Sequence, residues 1–233
     1  MKTLNPKLFQ DSGLKPSVKS KLQEIADAFV DYLKDEGISL TVADIQFLGS
    51  NAGFDYTEHS DIDLHLVVDF ESVTCDTNLL QIALNAERSK FNQAYDITIK
   101  GIPVELYVED VKAGTDSNGI YSIKFDRWIR YPKPEPNICI EDYEEDLAKW
   151  RILATKALSY NNADQLQNVI NRLYLMRKNG IATVGRYSKG NLIFKALRNE
   201  GLLQQLKDKR IELQSQQLTL EKLLRGSIYN HLI

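Results

Sequence analysis

The stretch from Asp61 to Asp69 constrains the chain more than any other. Its odd positions read Asp61, Asp63, His65, Val67, Asp69 and its even positions Ile62, Leu64, Leu66, Val68. A period of two with one mainly polar face and one wholly apolar face predicts a strand whose even side enters a core and whose odd side lines a site. Residues two apart on a strand are roughly 6.6 Å apart along it. Asp61 and Asp63 can therefore converge on small hard cations with oxygen contacts of about 2.1 Å, a distance that suits Mg2+.

Upstream, Gly49-Ser50 follows the apolar run Ile45, Phe47, Leu48 and precedes Asp61 by a ten-residue spacer. A glycine there permits a tight turn and close approach of a phosphate to backbone amides, and Ser50 offers a hydroxyl and a helix N-cap. Downstream, Gly101-Ile-Pro-Val-Glu-Leu-Tyr-Val108 alternates Val104, Leu106, Val108 with Glu105, Tyr107, Glu109. It predicts a second strand with a polar face, on which Glu105 is the candidate third carboxylate and Glu109 its substitute. His65 shares the face of Asp61 and Asp63, as a neighbour of the site or as a hydrogen-bonded interior histidine.

Taken together, the Gly-Ser turn, the spacer, the Asp61-Ile62-Asp63 strand and the later carboxylate resemble the nucleotidyltransferase superfamily of the DNA polymerase β type. The resemblance covers residues 44 to 109, with Gly53 one place earlier than the usual second glycine and Phe54 in that place. It implies transfer of a nucleoside monophosphate from a nucleoside triphosphate such as ATP to a hydroxyl acceptor, with RNA, a protein or a small molecule as candidates. By the same resemblance two ions, Mg2+ or Mn2+, are held by Asp61, Asp63 and Glu105, which are catalytic. Glu105 stands closest to the base function, and Gly49 and Ser50 hold the β and γ phosphates. A helical domain often follows in that superfamily and supplies cations to the triphosphate. Here Arg186, Lys189 and Lys195, near a predicted helix start at Ser188, have the right types, although an exposed capped helix with surface cations has them too. The alternatives are a catalytically silent nucleotide-binding or regulatory module of the same fold, and a phosphohydrolase or metal-binding protein using the same strands.

The remaining pattern predicts an α+β chain. Residues 1–137 form a small mixed sheet flanked by helices, and 138–233 an all-α bundle. Residues 1–13 read as an irregular lead-in. Val18, Leu22, Ile25, Phe29 and Leu33 draw a helix from Pro16 toward Gly37. A strand is expected over 44–48, a crossover helix over 76–94 with Leu79, Leu80, Ala83, Leu84, Ala86 and Phe91 on its apolar face, and a hairpin around Lys100-Gly101. Between 109 and 137 a further strand is expected over 120–125, and Asp126, Arg127 and Trp128 anchor that loop. Pro132, Pro134, Pro136 and Asn137 then mark a linker. Four helices follow, the second ending at Asn179-Gly180 and the last spanning 202–225.

A net charge of −3 opposes binding of nucleic acid by bulk electrostatics, so such a partner has to be met by a local basic patch. The distant pair Cys75 and Cys139 makes no zinc spacing and reads as reduced thiols. With no run of 18 apolar residues, no membrane span is expected and the cytoplasm is the expected compartment. Oligomeric state is left open by the pattern.

Overall fold

Residues 3–134 and 143–219 are described by a computed structural model of the chain. The chain divides into two compact units, Met1–Pro136 and Asn137–Ile233. The architecture is α+β: a mixed, open six-stranded sheet and, among the described residues, six α-helices.

The first unit opens with a two-stranded hairpin, β1 (Phe9–Gln10) and β2 (Gly13–Leu14), where an irregular lead-in is expected. Its cause is local: Leu8, Phe9 and Leu14 are buried, and Asp11 takes a left-handed φ of 55° between the strands. Helix α1 (Pro16–Asp35) has proline in its first turn and buries Val18, Leu22, Ile25, Ala26, Phe29 and Leu33.

Strand β3 (Val42–Leu48) leads to a 3-10 turn over Ser50–Ala52, and β4 (Ile62–Val68) follows. Helix α2 (Thr77–Ala94) is capped by Asp76, whose side chain accepts from the Leu79 amide at 2.9 Å. Only Leu80, Leu84 and Phe91 of α2 are buried, whereas Leu79 is 62% exposed. The helix thus meets the core along a narrower stripe than its apolar residues suggest. Strands β5 (Thr98–Ile99) and β6 (Ile102–Asp110) form a hairpin through Lys100 and Gly101, at φ 54° and 78°. Two successive positive values are what a type I′ turn demands.

Strands β7 (Ile120–Ser122) and β8 (Arg127–Arg130) complete a sheet of order β5-β6-β4-β3-β7-β8. The single strand expected over 120–125 is in fact β7 alone, and the chain reverses at Asp126, φ 53°, to add β8. Trp128 of β8 stacks on Phe9 at 5.5 Å between ring centres, and Asp126 pairs with Lys19 at 2.8 Å. Only β4 and β6 run parallel, joined by the α2 crossover. The even residues Ile62, Leu64, Leu66 and Val68 are fully buried with the helices on that face. At the β6 edge Asn92 of α2 imitates a strand, donating to the Leu106 carbonyl at 3.3 Å and accepting from its amide at 3.4 Å.

The second unit holds α3 (Glu144–Ala157), α4 (Ala163–Val184), α5 (Lys189–Asn199) and α6 (Leu202–Leu218) around a core that includes Leu147, Leu166, Leu173, Phe194 and Leu206. Helix α4 does not end at Asn179-Gly180 but continues to Gly185, φ 94°. Gly180 serves close packing instead: a Cβ there would lie 2.5 Å from Ser188 Oγ at the start of α5, and one on Gly190 would lie 2.6 Å from the Met176 carbonyl. Pro136, Asn137, Glu141 and Asp142, which carry the expected linker and helix start, lie outside the described residues. So do positions 220–225 of the last expected helix. Among the described residues no helix is long and apolar enough to cross a membrane.

The join of β7 and β8 generates a pH prediction. Burial, then a 2.7 Å hydrogen bond to Asp126, pushes the Tyr121 hydroxyl up to about 12, while Lys19 and Tyr121 hold Asp126 below the ordinary carboxylate range. Tyr121 therefore contributes stability that is present below its unfolded value of about 10 and lost as pH rises from there toward 12. Asp126 contributes stability present above about pH 4 and lost as pH falls below it. Denaturant midpoints followed against pH should show both losses, and Asp126→Asn should remove the acid one.

Candidate metal centre

The parallel pairing sets Asp63 of β4 directly beside Glu105 of β6, and the next two pairs on the same face are His65 with Tyr107 and Val67 with Glu109. Asp61 precedes β4 by one residue. One carboxylate oxygen from each of Asp61, Asp63 and Glu105 lies within 4.8 Å of the other two. In an octahedron with contacts of about 2.1 Å only one pair among three ligands can be as far as about 4.2 Å apart and the other pairs lie at about 3.0 Å, so the three oxygens would draw closer together on a common cation. An all-oxygen, acidic donor set favours Mg2+, Mn2+ or Ca2+ over softer metals.

The turn after β3 is shaped by the same carboxylates. Gly49 sits at φ 78°, and a Cβ on it would lie 1.9 Å from Asp63 Oδ2. Only glycine both accepts this backbone and leaves the carboxylate its place. The donors nearby are engaged within the protein. The Gly49 amide donates to Ser117 Oγ at 3.2 Å, and Ser50 Oγ donates to Ser60 Oγ at 2.8 Å. Ser50 is therefore not a helix cap: it is the first residue of the 3-10 turn, whose cap position belongs to Gly49. Asn51, fully buried, pins the return of the chain by donating to the Ser60 and Asp61 carbonyls at 3.0 and 2.8 Å. Gly53 has extended backbone, and Phe54 packs against the core and lies 6.3 Å from the Tyr131 ring.

Tyr107 is the neighbour that the strand pattern left without a role. Its hydroxyl donates to Glu105 Oε2 at 2.6 Å. Burial, then this bond, then the charges of Glu105, Asp63 and Asp61 raise its pKa well above the ordinary phenol value. Behind it the His65 ring stacks at 4.7 Å and the Arg88 guanidinium of α2 lies 4.8 Å from the ring centre. His65 Nδ1 is 3.0 Å from Glu109 Oε1 without the alignment of a hydrogen bond. Glu109, four residues beyond Glu105 on the strand, thus faces His65. The i+2 spacing to Glu105 was the available signal for Tyr107. Nothing in the spacing announced Ser60, Ser117 or Asn51.

Arg186, Lys189 and Lys195 belong to the second unit; Arg186 and Lys189 lie about the start of α5, where Ser188 Oγ accepts from the Asn191 amide at 3.3 Å, whereas Lys195 lies in the middle of that helix. Lys189 is exposed, and Arg186 lies over the Tyr187 ring at 5.6 Å. No protein-family model, curated protein or solved structure matches the chain.

Two substitutions test the centre. Gly49→Ala should displace the Asp63 carboxylate and abolish the Mn2+ or Mg2+ binding measured by titration calorimetry. Tyr107→Phe removes one hydrogen bond from Glu105, and a loss of about 10-fold in metal affinity is expected for a support of this kind.

Proposed function

We propose that the chain is a metal-dependent nucleotidyltransferase of the DNA polymerase β type, its first unit the nucleotidyltransferase-like one. It moves a nucleoside monophosphate from a nucleoside triphosphate to a hydroxyl acceptor. The observation that carries this reading is the approach of Asp61, Asp63 and Glu105 to within 4.8 Å beside a glycine that has no room for a Cβ. Divalent cations held by the three carboxylates would supply charge neutralisation at the phosphates and acidify the acceptor hydroxyl.

Each residue then has a task. Asp61 and Asp63, at the start of a strand whose even residues are fully buried, are positioned for the ions by that packing. Glu105 is steadied through Oε2 by Tyr107 and keeps Oε1 for an ion or for the acceptor proton. A triphosphate adds negative charge to a cluster that is already negative, so its binding depends on the cations that the cluster collects. Arg186, Lys189 and Lys195 carry the remaining phosphate charge in this reading.

A second reading is favoured by one observation. The Gly49 amide and the Ser50 hydroxyl, the two donors assigned to the β and γ phosphates, are already bonded to Ser117 and Ser60. A module that binds metal or nucleotide without turnover needs no exchange of those bonds. Incubation with each labelled nucleoside triphosphate, with Mg2+ or Mn2+, separates the two. Label appearing on an acceptor together with pyrophosphate supports transfer. Metal binding with no pyrophosphate from any of the triphosphates supports the silent module. In the first case Asp61→Asn and Asp63→Asn should each lower turnover by about 10²-fold or more with unchanged circular dichroism.

A further inference from the structure

The run from Lys124 to Lys133 contains Lys124, Arg127, Arg130 and Lys133 with Phe125, Trp128, Ile129 and Tyr131 between them. Its single carboxylate, Asp126, is already paired with Lys19 at 2.8 Å. In a chain of net charge −3 this is a local reversal of sign. The run is the outermost strand β8 with the residues flanking it, and among the described residues no strand pairs with its outer edge. Phe125, Ile129 and Tyr131 are 55%, 52% and 50% exposed, a large apolar area to leave in water beside four cations.

We propose that this strip is a docking surface for a single-stranded polynucleotide, and that the end of that strand is the hydroxyl acceptor. The second clause rests on the nucleotidyltransferase reading, and the first does not. Cations spaced between exposed rings match the two needs of an unpaired strand, phosphate neutralisation and stacking of bare bases. A second copy of this chain fits poorly, since pairing two such edges sets like charges face to face. The strip is also joined to the turn that borders the carboxylates. Arg130 donates to the Ser117 carbonyl at 2.7 Å, the Ser117 hydroxyl accepts from the Gly49 amide, and Tyr131 touches Phe54 in the loop leading to Asp61. A strand lying along β8 is thereby led toward the site.

The test is fluorescence anisotropy of the full chain with a labelled single strand of about 15 nucleotides, RNA or DNA, without triphosphate or divalent ion, from about 50 to 200 mM salt. Single strands should bind more tightly than a duplex of equal length. Affinity should fall with salt by a log-log slope of about −0.7 per engaged cation. Arg127→Glu combined with Lys133→Glu, both at exposed positions, should cost at least about tenfold and flatten that slope by about 1.4. Phe125→Ala should keep the slope and cost about fivefold or more. Circular dichroism of each variant should match the parent. Equal affinity for duplex, a slope untouched by the double variant, or tighter binding of an acidic peptide of the same charge would overturn the proposal. Because binding is read without turnover, a protein that binds strands yet transfers nothing refutes only the transferase reading. A protein that transfers nucleotides but binds strands independently of Arg127 and Lys133 refutes only the strip.

Discussion

Three carboxylates held within 4.8 Å of one another oppose the fold that gathers them, and what overcomes that opposition is the burial of the residues between them. At an effective dielectric near 20 each such pair costs roughly 3 kcal/mol before solvent and counterions weaken it. Each fully buried Ile, Leu or Val side chain contributes about 1.5 to 3 kcal/mol. Strands β4 and β6 alternate the two kinds of residue, with Ile62, Leu64, Leu66, Leu106 and Val108 on the buried side. The apolar face cannot enter the core without turning Asp63 and Glu105 out on the other side, and the parallel register then makes them neighbours. The acidic centre is a consequence of the core, and its residual repulsion is what a cation would relieve.

The arrangement around the centre follows the same economy. Gly49 gives up its side chain so that Asp63 can keep its position, and Asn51 and Ser60 tie the ends of the intervening loop together. Tyr107 lies in the field of the carboxylates and answers it with a hydroxyl proton on Glu105. The Arg88 guanidinium, 4.8 Å from the ring centre, adds a positive charge over the ring.

Much of this was legible before any coordinates, and the limits of legibility have physical causes. Alternation over 61–69 and 102–108 named the strands and their polar faces, because side-chain direction in a strand is a property of local geometry. The stripe of α1 and the cap at Ser188 were readable for the same reason. What could not be read depends on which strands become neighbours. The bond from the Gly49 amide to Ser117 spans 68 residues of chain, and no periodicity encodes it. Strand β8 escaped notice because Asp126 reverses the backbone in a conformation that aspartate only occasionally adopts. The glycine at 180 lies inside α4, and close packing of one helix against another leaves the same mark on a sequence as a cap does.

The plug that Asn92 sets into the margin of β6 has a consequence for the behaviour of the molecule in bulk. An open sheet ordinarily offers two margins, and head-to-tail growth of fibres needs both. Here the part of β6 that extends past the short β5 has the Leu106 amide and carbonyl taken up by Asn92, and at the far side cations flank β8, so both margins are blunted against the addition of another strand.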